Sequence, residues 1–345
     1  MSTALCLAPN VKSLLGSTAR GFSSNAPVSS GDRETLDRWI AHIQGLTVVE
    51  QDEITRSAAQ LLATTLYPSA PSAPAWDSVP VGSELPPAYH LVCFPPREPE
   101  CRLASDGYDT SFTPPAPYLK RMWAGGSFEW NLENPLRIGD RVSQTTKVDR
   151  IQVKPGAQGD LRVFVWMKKD IANEAGPSMQ EVRCLVYMDA RSRVSDPGRV
   201  LKGQFPSSTR PNFSRQIKPT ALTLFRYSAL TFNSHLIHYD PDYCRAEEGY
   251  PERLVHGPLT CTLLLDLLHK RLAETQGIQH RRPFLRSFEY RALSPLYCGQ
   301  DLHLHGRVLD REPATAGEMR YELWATNAQG GLAMKGTAVV TERDA

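Results

Sequence analysis

The sequence lacks several features that would place it in a simple class. Its seven cysteines are odd in number and scattered, without a C-x-x-C pair, which argues against a disulfide framework and a zinc cluster and favours reduced thiols in an intracellular compartment. No apolar run approaches the roughly 18–20 residues of a membrane-spanning helix. The formal net charge is only +2, so the composition predicts neither nucleic acid nor an anionic membrane as the main partner.

Motifs for common cofactors are also missing. The sequence has no Gly-rich phosphate loop, no nucleophile elbow and no dinucleotide fingerprint, so we expect no cofactor. His303 and His305 alternate on a predicted strand and share a face. No carboxylate or thiolate stands at ligand spacing beside them, so we expect no metal site.

The first thirty residues contain no Asp or Glu, two cations and seven serines. This composition is typical of a mitochondrial transit peptide. The segment Arg20-Gly21-Phe22 resembles a matrix processing site with cleavage after Phe22. We therefore predict a transit peptide over residues 1–30 and a mitochondrial matrix location. A merely disordered N-terminus is the alternative.

A length of 345 residues is suited to two domains of roughly 100–150 residues. The spacing of apolar residues predicts helix from Gly31 to Tyr67, within an N-terminal helical segment at 31–76. An antiparallel meander is expected in the first half-domain, 77–195. A polar, turn-rich linker is predicted at 196–212, followed by a second half-domain at 213–345.

The second half-domain carries the clearer pattern. It predicts a strand at 221–231, a short helix at about 241–248 and a long helix at about 258–276, then four strands at 284–293, 301–309, 319–326 and 332–340. The long helix is apolar nearly all round, so we expect it to be buried. A buried helix followed by four antiparallel strands predicts a hotdog, and two halves predict an α+β double hotdog. Prolines between 77 and 101 predict a reduced helix in the first half.

Two histidines, His235 and His238, occupy a short turn that ends in Asp240-Pro241, a good helix start. Farther along, Gly257 opens the predicted long helix. Glycine allows close backbone approach, and the first N–H groups of a helix are unpaired at its positive end. A base plus an oxyanion donor fits removal of a proton beside a carbonyl. The alternatives are a structural histidine and a glycine that only caps the helix.

The segment from Asn233 to Asp240 resembles the hydratase motif of MaoC-like dehydratases and (R)-specific enoyl-CoA hydratases, Asp-x-Asn-Pro-x-His-x-Asp. The longer segment from Ser228 to Asp240 is more similar to the mitochondrial 3-hydroxyacyl-thioester dehydratase type 2 subgroup and to double-hotdog mesaconyl-CoA hydratases. Segments 114–115, 121–126 and 135–140 resemble the N-terminal half-domain of those proteins. The resemblance spans about residues 35 to 340.

The resemblance implies reversible dehydration of (R)-3-hydroxyacyl thioesters to trans-2-enoyl thioesters. His238 would remove the C2 proton, and the Gly257 N–H would polarise the thioester carbonyl. Asn233 departs from the general pattern: an amide can orient a hydroxyl or water but cannot shuttle a proton. Leu236 also departs, since relatives often carry Arg there. These departures keep open a catalytically silent hotdog that binds acyl thioesters.

Other residues are predicted to support the substrate or the fold of the site. We expect His235, His256 and Asp240 to help bind the substrate, with His235 orienting its neighbours. Asp266 in the buried helix could act as the carboxylate of a hotdog thioesterase, although a structural carboxylate is the simpler interpretation. The basic pairs at 281–282 and 215–218 could contact coenzyme A or phosphopantetheine phosphates, although such charges are usually solvated surface.

We therefore predict a matrix hydro-lyase that acts on acyl thioesters in type II fatty acid synthesis, carried on acyl carrier protein or coenzyme A. The enzymatic alternative is hydration of a short dicarboxylic enoyl-CoA, of mesaconyl or itaconyl type. A long apolar tunnel would favour the first, and a buried cation for a free carboxylate would favour the second. The missing Arg at Leu236 favours the first. A homodimer is possible, although two hotdogs in one chain already form an internal pair.

Overall fold

The computed structural model describes residues 30–67, 79–156, 160–190, 209–275, 281–309 and 318–344. The segment predicted as a transit peptide and most of the predicted linker lie outside these residues. The strands are β1 (Thr47–Glu53), β2 (Lys120–Trp130), β3 (Arg141–Pro155), β4 (Leu161–Asn173), β5 (Gly176–Met188), β6 (Phe213–Ile217), β7 (Arg281–Ala292), β8 (Leu302–Val308), β9 (Glu318–Asn327) and β10 (Leu332–Asp344). They form one sheet in the order β1-β3-β4-β5-β2-β7-β10-β9-β8-β6, and every neighbouring pair is antiparallel.

The helices are α1 (Ser30–Gln44), α2 (Arg56–Leu66), α3 (Ala221–Leu230), the single turn α4 (Pro241–Tyr243) and α5 (Gly257–Thr275). Short 3-10 segments occur at Tyr89–Val92, Glu100–Arg102 and Leu236–His238, and a π turn at Cys244–Glu248 follows α4. The long helix, the short helix and the four final strands lie close to their predicted positions.

Helix α5 is the centre of the C-terminal half. Its leucines at 259, 263, 264, 265 and 268 are all buried, as the apolar sequence predicted. They join the core with inward residues of the strands around the helix, such as Leu304 on β8 and Leu323 on β9. Burial of each such side chain is worth about 1.5–3 kcal/mol. This half is a sheet wrapped around one helix, so the predicted hotdog is confirmed.

The N-terminal half has no comparable central helix in its described part. A short 3-10 segment, Tyr89–Val92, stands there instead, in a stretch whose prolines disfavour continuous helix. At one end of the strands, Leu36 of α1 packs with Val165 of β4 and Tyr187 of β5. The middle of the inner face remains uncovered and lines a cavity. The prediction of a double hotdog with a reduced first helix is therefore confirmed.

Two predicted elements were wrong. The strand predicted at 221–231 is the helix α3, which begins at a capping box: the Thr220 side chain accepts from the Thr223 N–H, and the Thr223 hydroxyl accepts from the Thr220 N–H. Such a box satisfies donors that a helix start leaves unpaired. The helix predicted from Gly31 to Tyr67 is divided by β1, because Thr47–Glu53 pairs with β3 and becomes the edge of the sheet.

The two halves are joined through the middle of the sheet, where β2 pairs with β7 from Gly125↔Arg291 to Glu129↔Ser287. The Trp123 indole N–H donates to the Tyr290 hydroxyl at 2.8 Å across this seam. A Cβ at Gly125 would run into the Tyr290 carbonyl oxygen, so the close approach of β2 to β7 requires glycine there. The sheet therefore holds the two halves in one fixed arrangement.

Candidate active site

A cavity of about 1350 Å³ lies between the two halves. Its C-terminal wall comes from the histidine turn and the start of α5. Its N-terminal wall comes from β2, the inner faces of β3 to β5, and the loop around Asp106. His238 and Gly257 both line this cavity, so the structure brings together the predicted base and the predicted main-chain donor.

The histidine turn follows α3 directly rather than a strand. Phe232 leaves the helix with a positive φ of 48°, and the Asn233 N–H donates to the Ser228 carbonyl at 2.8 Å. A loop from the N-terminal half then fixes the turn, because the Leu236 N–H donates to the Asp106 carbonyl at 2.9 Å. A Cβ at Gly107 would overlap the Ser234 carbonyl oxygen. Both halves are therefore needed to shape the histidine turn.

His238 is buried and oriented by a main-chain acceptor: its Nδ1 lies 2.9 Å from the Leu254 carbonyl oxygen. A carbonyl only accepts, so Nδ1 carries the proton and Nε2 keeps the free lone pair. Burial, followed by the charge of His235, lowers the pKa of His238 to about 3. The imidazole is therefore neutral at physiological pH and able to accept a proton.

His256 lies against His238, with ring centroids 3.6 Å apart and the planes inclined by 19°. Its Nε2 is 2.9 Å from the Ser228 hydroxyl, and burial holds its pKa well below the ordinary value. The side chain is buried, with a relative exposure of 1% for the residue. We therefore assign His256 to positioning the His238 ring; the residue also lines the cavity, so the substrate contact predicted for it stays a prediction.

His235 is held by a carboxylate that the sequence reasoning missed. Its Nε2 lies 3.3 Å from Asp106 Oδ2, and Arg121 pairs with the same oxygen at 3.0 Å. Burial alone would raise the pKa of Asp106, but the His235 hydrogen bond and the Arg121 charge hold it at about 2. Burial lowers the pKa of His235 despite this partner. Asp106 lies more than 120 residues from the motif, so no local pattern could have identified it.

The side-chain amide oxygen of Asn233 makes a hydrogen bond within the turn. Its Oδ1 accepts from the His235 N–H at 3.1 Å, which fixes the orientation of the side chain. Its Nδ2 remains a donor. A donor amide beside a neutral imidazole can hold the oxygen of a hydroxyl or a water, as predicted, without moving a proton.

Gly257 is the first residue of α5, so its N–H has no partner within the helix and lies at the positive end of the helix dipole. A Cβ at this position would stand 2.9 Å from Trp123 Cβ and 3.0 Å from Trp123 Cγ. The glycine is therefore required by close packing against β2 and also leaves a main-chain donor at the cavity.

Several other predicted candidates lie elsewhere. Asp240 caps α4, since its Oδ1 accepts from Asp242 N–H at 2.9 Å and Tyr243 N–H at 3.0 Å. It does not line the cavity, and the substrate contact predicted for it stays a prediction. Asp266 also lies outside the cavity, paired with Arg215 at 2.8 Å and hydrogen-bonded to the Tyr67 hydroxyl. These contacts make it a structural carboxylate.

The described basic side chains predicted to meet coenzyme A phosphates do not line this cavity either. Arg215 is engaged by Asp266, and neither Lys218 nor Arg282 is part of the cavity lining. Within the described residues, no helix is both long and apolar enough to span a membrane, and no three His, Cys, Asp or Glu side chains are grouped to hold a metal ion.

Comparison with known proteins places this geometry in context. Residues 88–298 match the family model for hydroxyacyl-thioester dehydratase type 2. The chain is 36% identical over 261 residues to mesaconyl-C(4)-CoA hydratase of Chloroflexus aurantiacus, covering 75% of this chain and 85% of that one. It is 26% identical over 245 residues to the mitochondrial hydroxyacyl-thioester dehydratase type 2 of Schizosaccharomyces pombe, covering 64% and 77%.

The fold is similar to that of a MaoC-like dehydratase from Phytophthora capsici, with a TM-score of 0.59 over 89% of this chain and 99% of that one, at 16% identity. The family match covers both halves of the cavity, including the Asp106 loop, the histidine turn and Gly257. The chain therefore belongs to the hydroxyacyl-thioester dehydratase type 2 family of MaoC-like hotdog hydro-lyases.

Proposed function

We propose that the protein interconverts 3-hydroxyacyl thioesters and 2-enoyl thioesters, with His238 as the acid/base group and the Gly257 N–H as the oxyanion donor. This proposal rests mainly on the position of the His238 ring. Its Nδ1 is hydrogen-bonded to the Leu254 carbonyl, and the ring lines the same cavity as Gly257. A neutral, oriented base opposite a main-chain donor is what α-proton removal requires.

In the dehydration direction, His238 Nε2 removes the C2 proton, and the electron pair of that C–H bond forms the enolate. The negative charge on the thioester oxygen is stabilised by the Gly257 N–H and the α5 dipole. The C3–O bond then breaks as the hydroxyl leaves with the proton from His238, so one water is released. Asn233 Nδ2 donates to the departing oxygen. Hydration runs through the same steps in reverse.

Two substrate classes are supported by the names of different relatives. Acyl groups of mitochondrial fatty acid synthesis, the class predicted first, have support from the S. pombe relative at 26% identity. A short dicarboxylic enoyl-CoA, the alternative, has support from the Chloroflexus relative at 36% identity. The choice between them rests on the chemistry of the cavity wall, considered below.

Location, carrier and assembly complete the proposal. The mitochondrial matrix is supported by the acid-free first thirty residues and by the mitochondrial S. pombe relative. We keep coenzyme A and acyl carrier protein as the two carriers to compare, and a homodimer as the assembly to test by light scattering. The transit peptide, the linker and the two half-domain boundaries remain proposals of the same kind.

The test is turnover of crotonyl-CoA and 3-hydroxybutyryl-CoA, followed by the absorbance of the enoyl thioester. We expect wild type to catalyse both directions and His238→Ala to lose at least about a hundredfold in kcat, as loss of an acid/base group does. Equal, zero turnover by both proteins would instead favour a non-catalytic binding module. Release of free thiol without enoyl formation would indicate a thioesterase.

A further inference from the structure

We propose that the inner wall of the N-terminal half is a carboxylate subsite, in which Lys169 binds an acid group at the far end of the acyl chain. The subsite consists of Lys169 together with Arg183, Glu181 and Thr146, here called the cation cluster. This inference rests on the proposed function and names the substrate class of that site: acyl thioesters with a second, free carboxylate.

Lys169 lies on the inward face of β4, a face whose other residues are mostly apolar. Its neighbours on the same face, Met167 and Ile171, are buried apolar residues of the core. Lys169 lines the cavity instead. Among the described residues, none makes a direct hydrogen bond or ion pair with its ammonium group, and the carboxylates of Glu181, Glu50 and Asp109 act on it only through their charge. Lys169 is half-buried, and an ammonium group in such a place without a direct partner is costly, so an incoming carboxylate would supply the missing partner.

The rest of the cation cluster surrounds Lys169 across the strands. Thr146 on β3 and Glu181 on β5 are its direct cross-strand partners. The Thr146 hydroxyl is buried and has no hydrogen-bond partner among the described residues, so it can donate to an oxygen bound at Lys169. Glu181 is already engaged by Arg183 at 2.6 Å, so its charge is largely neutralised by that partner.

The protonation equilibrium of Lys169 agrees with this placement. Burial, followed by the charge of Arg183, lowers its pKa to about 8, against the opposing effect of Glu181, Glu50 and Asp109. The surroundings therefore disfavour the ammonium form overall. A bound carboxylate would reverse that balance and raise the pKa of Lys169.

The cation cluster is connected to the start of α5 through Trp123. The Arg183 guanidinium lies 4.6 Å from the centre of the Trp123 ring, and Trp123 is the residue against which Gly257 packs. One aromatic residue thus separates Arg183 from the Gly257 side of the proposed reacting centre.

The position of the cation cluster on the cavity wall is better suited to a short acyl group than to the phosphates of a carrier. Lys169, Arg183 and Glu181 lie on β4 and β5, which have strands on both sides, and they line the same cavity as the histidine turn. The charged wall is also unsuited to a long alkyl chain, because an apolar chain there would leave the ammonium group unsolvated. The class of ligand is therefore a short dicarboxylic acyl thioester.

Binding of two inert ligands of equal length tests the subsite independently of catalysis. Succinyl-CoA ends in a carboxylate and butyryl-CoA in a methyl group. By calorimetry we expect wild type to bind succinyl-CoA about ten- to a hundredfold more tightly, which is the range for a charge-assisted hydrogen bond. Lys169→Met should remove that preference, so that the ratio of the two affinities falls to about one.

Lys168→Met is the matched control. Lys168 is the neighbouring residue, on the opposite face of β4, where it pairs with Asp170 at 3.8 Å, and we expect this variant to bind as wild type does. Wild-type binding of butyryl-CoA equal to that of succinyl-CoA would overturn the proposal. So would equal losses for both ligands in a folded Lys169→Met protein, with folding checked by thermal unfolding.

Turnover separates this proposal from the proposed function. With fumaryl-CoA and crotonyl-CoA, Lys169→Met should raise KM for fumaryl-CoA about ten- to a hundredfold more than it raises KM for crotonyl-CoA. If neither is hydrated but the succinyl-CoA preference is present, the hydro-lyase mechanism fails and the carboxylate subsite stands. If both are hydrated without a Lys169-dependent preference, the mechanism stands and the subsite fails.

Discussion

At the scale of single residues, burial determines the chemistry of the three histidines at the site. His235, His238 and His256 all have a pKa below the ordinary histidine value, and burial is the largest cause for each. A histidine in water would be partly protonated at pH 6. Here the ring that must accept a proton stays neutral across the physiological range.

The dependence of kcat/KM on pH should therefore lack the fall near pH 6.5 that protonation of an ordinary histidine causes. With crotonyl-CoA, whose acyl group carries no carboxylate, we expect kcat/KM to stay constant within about twofold from pH 5.5 to 7.5, because the pKa of free His238 is about 3. Initial rates in constant-ionic-strength buffers measure this. An acid limb centred near pH 6.5 would contradict the assignment of a buried, neutral base.

Asp106 is the second residue whose role can be tested. In Asp106→Asn the shape is kept but the charge that pairs with Arg121 and His235 is lost. We expect about 1.5–3 kcal/mol lower free energy of unfolding, the usual value of a hydrogen bond to a charged group. We also expect about a tenfold lower kcat with KM little changed, because the histidine turn loses its anchor.

Urea unfolding and initial rates give both values for Asp106→Asn. The control is Asp242→Asn, an exposed carboxylate that pairs only with exposed Arg245 in the described structure. It should change stability by less than about 0.5 kcal/mol. A kcat for Asp106→Asn equal to that of wild type would show that His235 needs no charged partner.

At the scale of secondary-structure elements, the start of α5 has two tasks at one position. In the proposed mechanism Gly257 provides the oxyanion donor, and in the structure it also lets β2 approach, since a Cβ there would lie 2.9 Å from Trp123 Cβ. Replacement by alanine keeps the N–H but displaces it. The position of the Gly257 N–H and the packing of α5 against β2 therefore cannot be changed independently.

Gly257→Ala should fold and still lose activity. We expect kcat to fall about 10²–10³-fold, the cost of a lost or misplaced oxyanion donor, with the melting temperature lowered by several degrees. Gly45→Ala is the control, because its Cβ would meet no atom nearer than 3.6 Å. Wild-type kcat in Gly257→Ala would remove the N–H from the mechanism.

Elements also show where sequence reasoning succeeded and where it failed. Helix α5 was predictable because its leucines cover nearly the whole circumference, which only a buried helix tolerates. The sequence of helix α3 predicts a strand because its ten residues are mostly apolar. In so short a segment, the spacing of apolar residues does not distinguish a helix from a strand. The Thr220–Thr223 capping box was the available signal.

The site was predictable to a similar, partial degree. Local patterns in the sequence predict His238, Asn233 and Gly257 as site residues, and the structure brings all three to one cavity. Their catalytic roles stay predictions. Asp106, Trp123 and Lys169 belong to the other half of the chain. Their role depends on long-range strand pairing and on which face of a strand each residue occupies, and neither can be derived from local spacing.

At the scale of the whole molecule, the buried histidines link stability to pH. A histidine with a lowered folded-state pKa binds its proton more readily in the unfolded chain, so the folded state loses stability as pH falls below about 6.5. Each such histidine contributes a slope of up to about 1.4 kcal/mol per pH unit until the folded-state pKa is reached. Three of them titrate in the same direction.

Urea unfolding at several pH values should reveal this linkage. We expect the free energy of unfolding to decrease steadily from pH 6.5 to 5, and His256→Gln to reduce the slope by about one proton's contribution. His42→Gln, which replaces an exposed histidine on α1, should leave the slope unchanged. A flat curve for wild type between these pH values would contradict the neutral state assigned to all three rings.

The seam between β2 and β7 has a consequence for how the protein can be encoded. Five residue pairs and the Trp123–Tyr290 hydrogen bond connect the halves without any need for peptide continuity between residues 190 and 209. Fragments 1–195 and 196–345, expressed separately, would each present a bare strand edge and should precipitate. Expressed together, they should assemble and hydrate crotonyl-CoA, so splitting the gene in two would still yield a working enzyme.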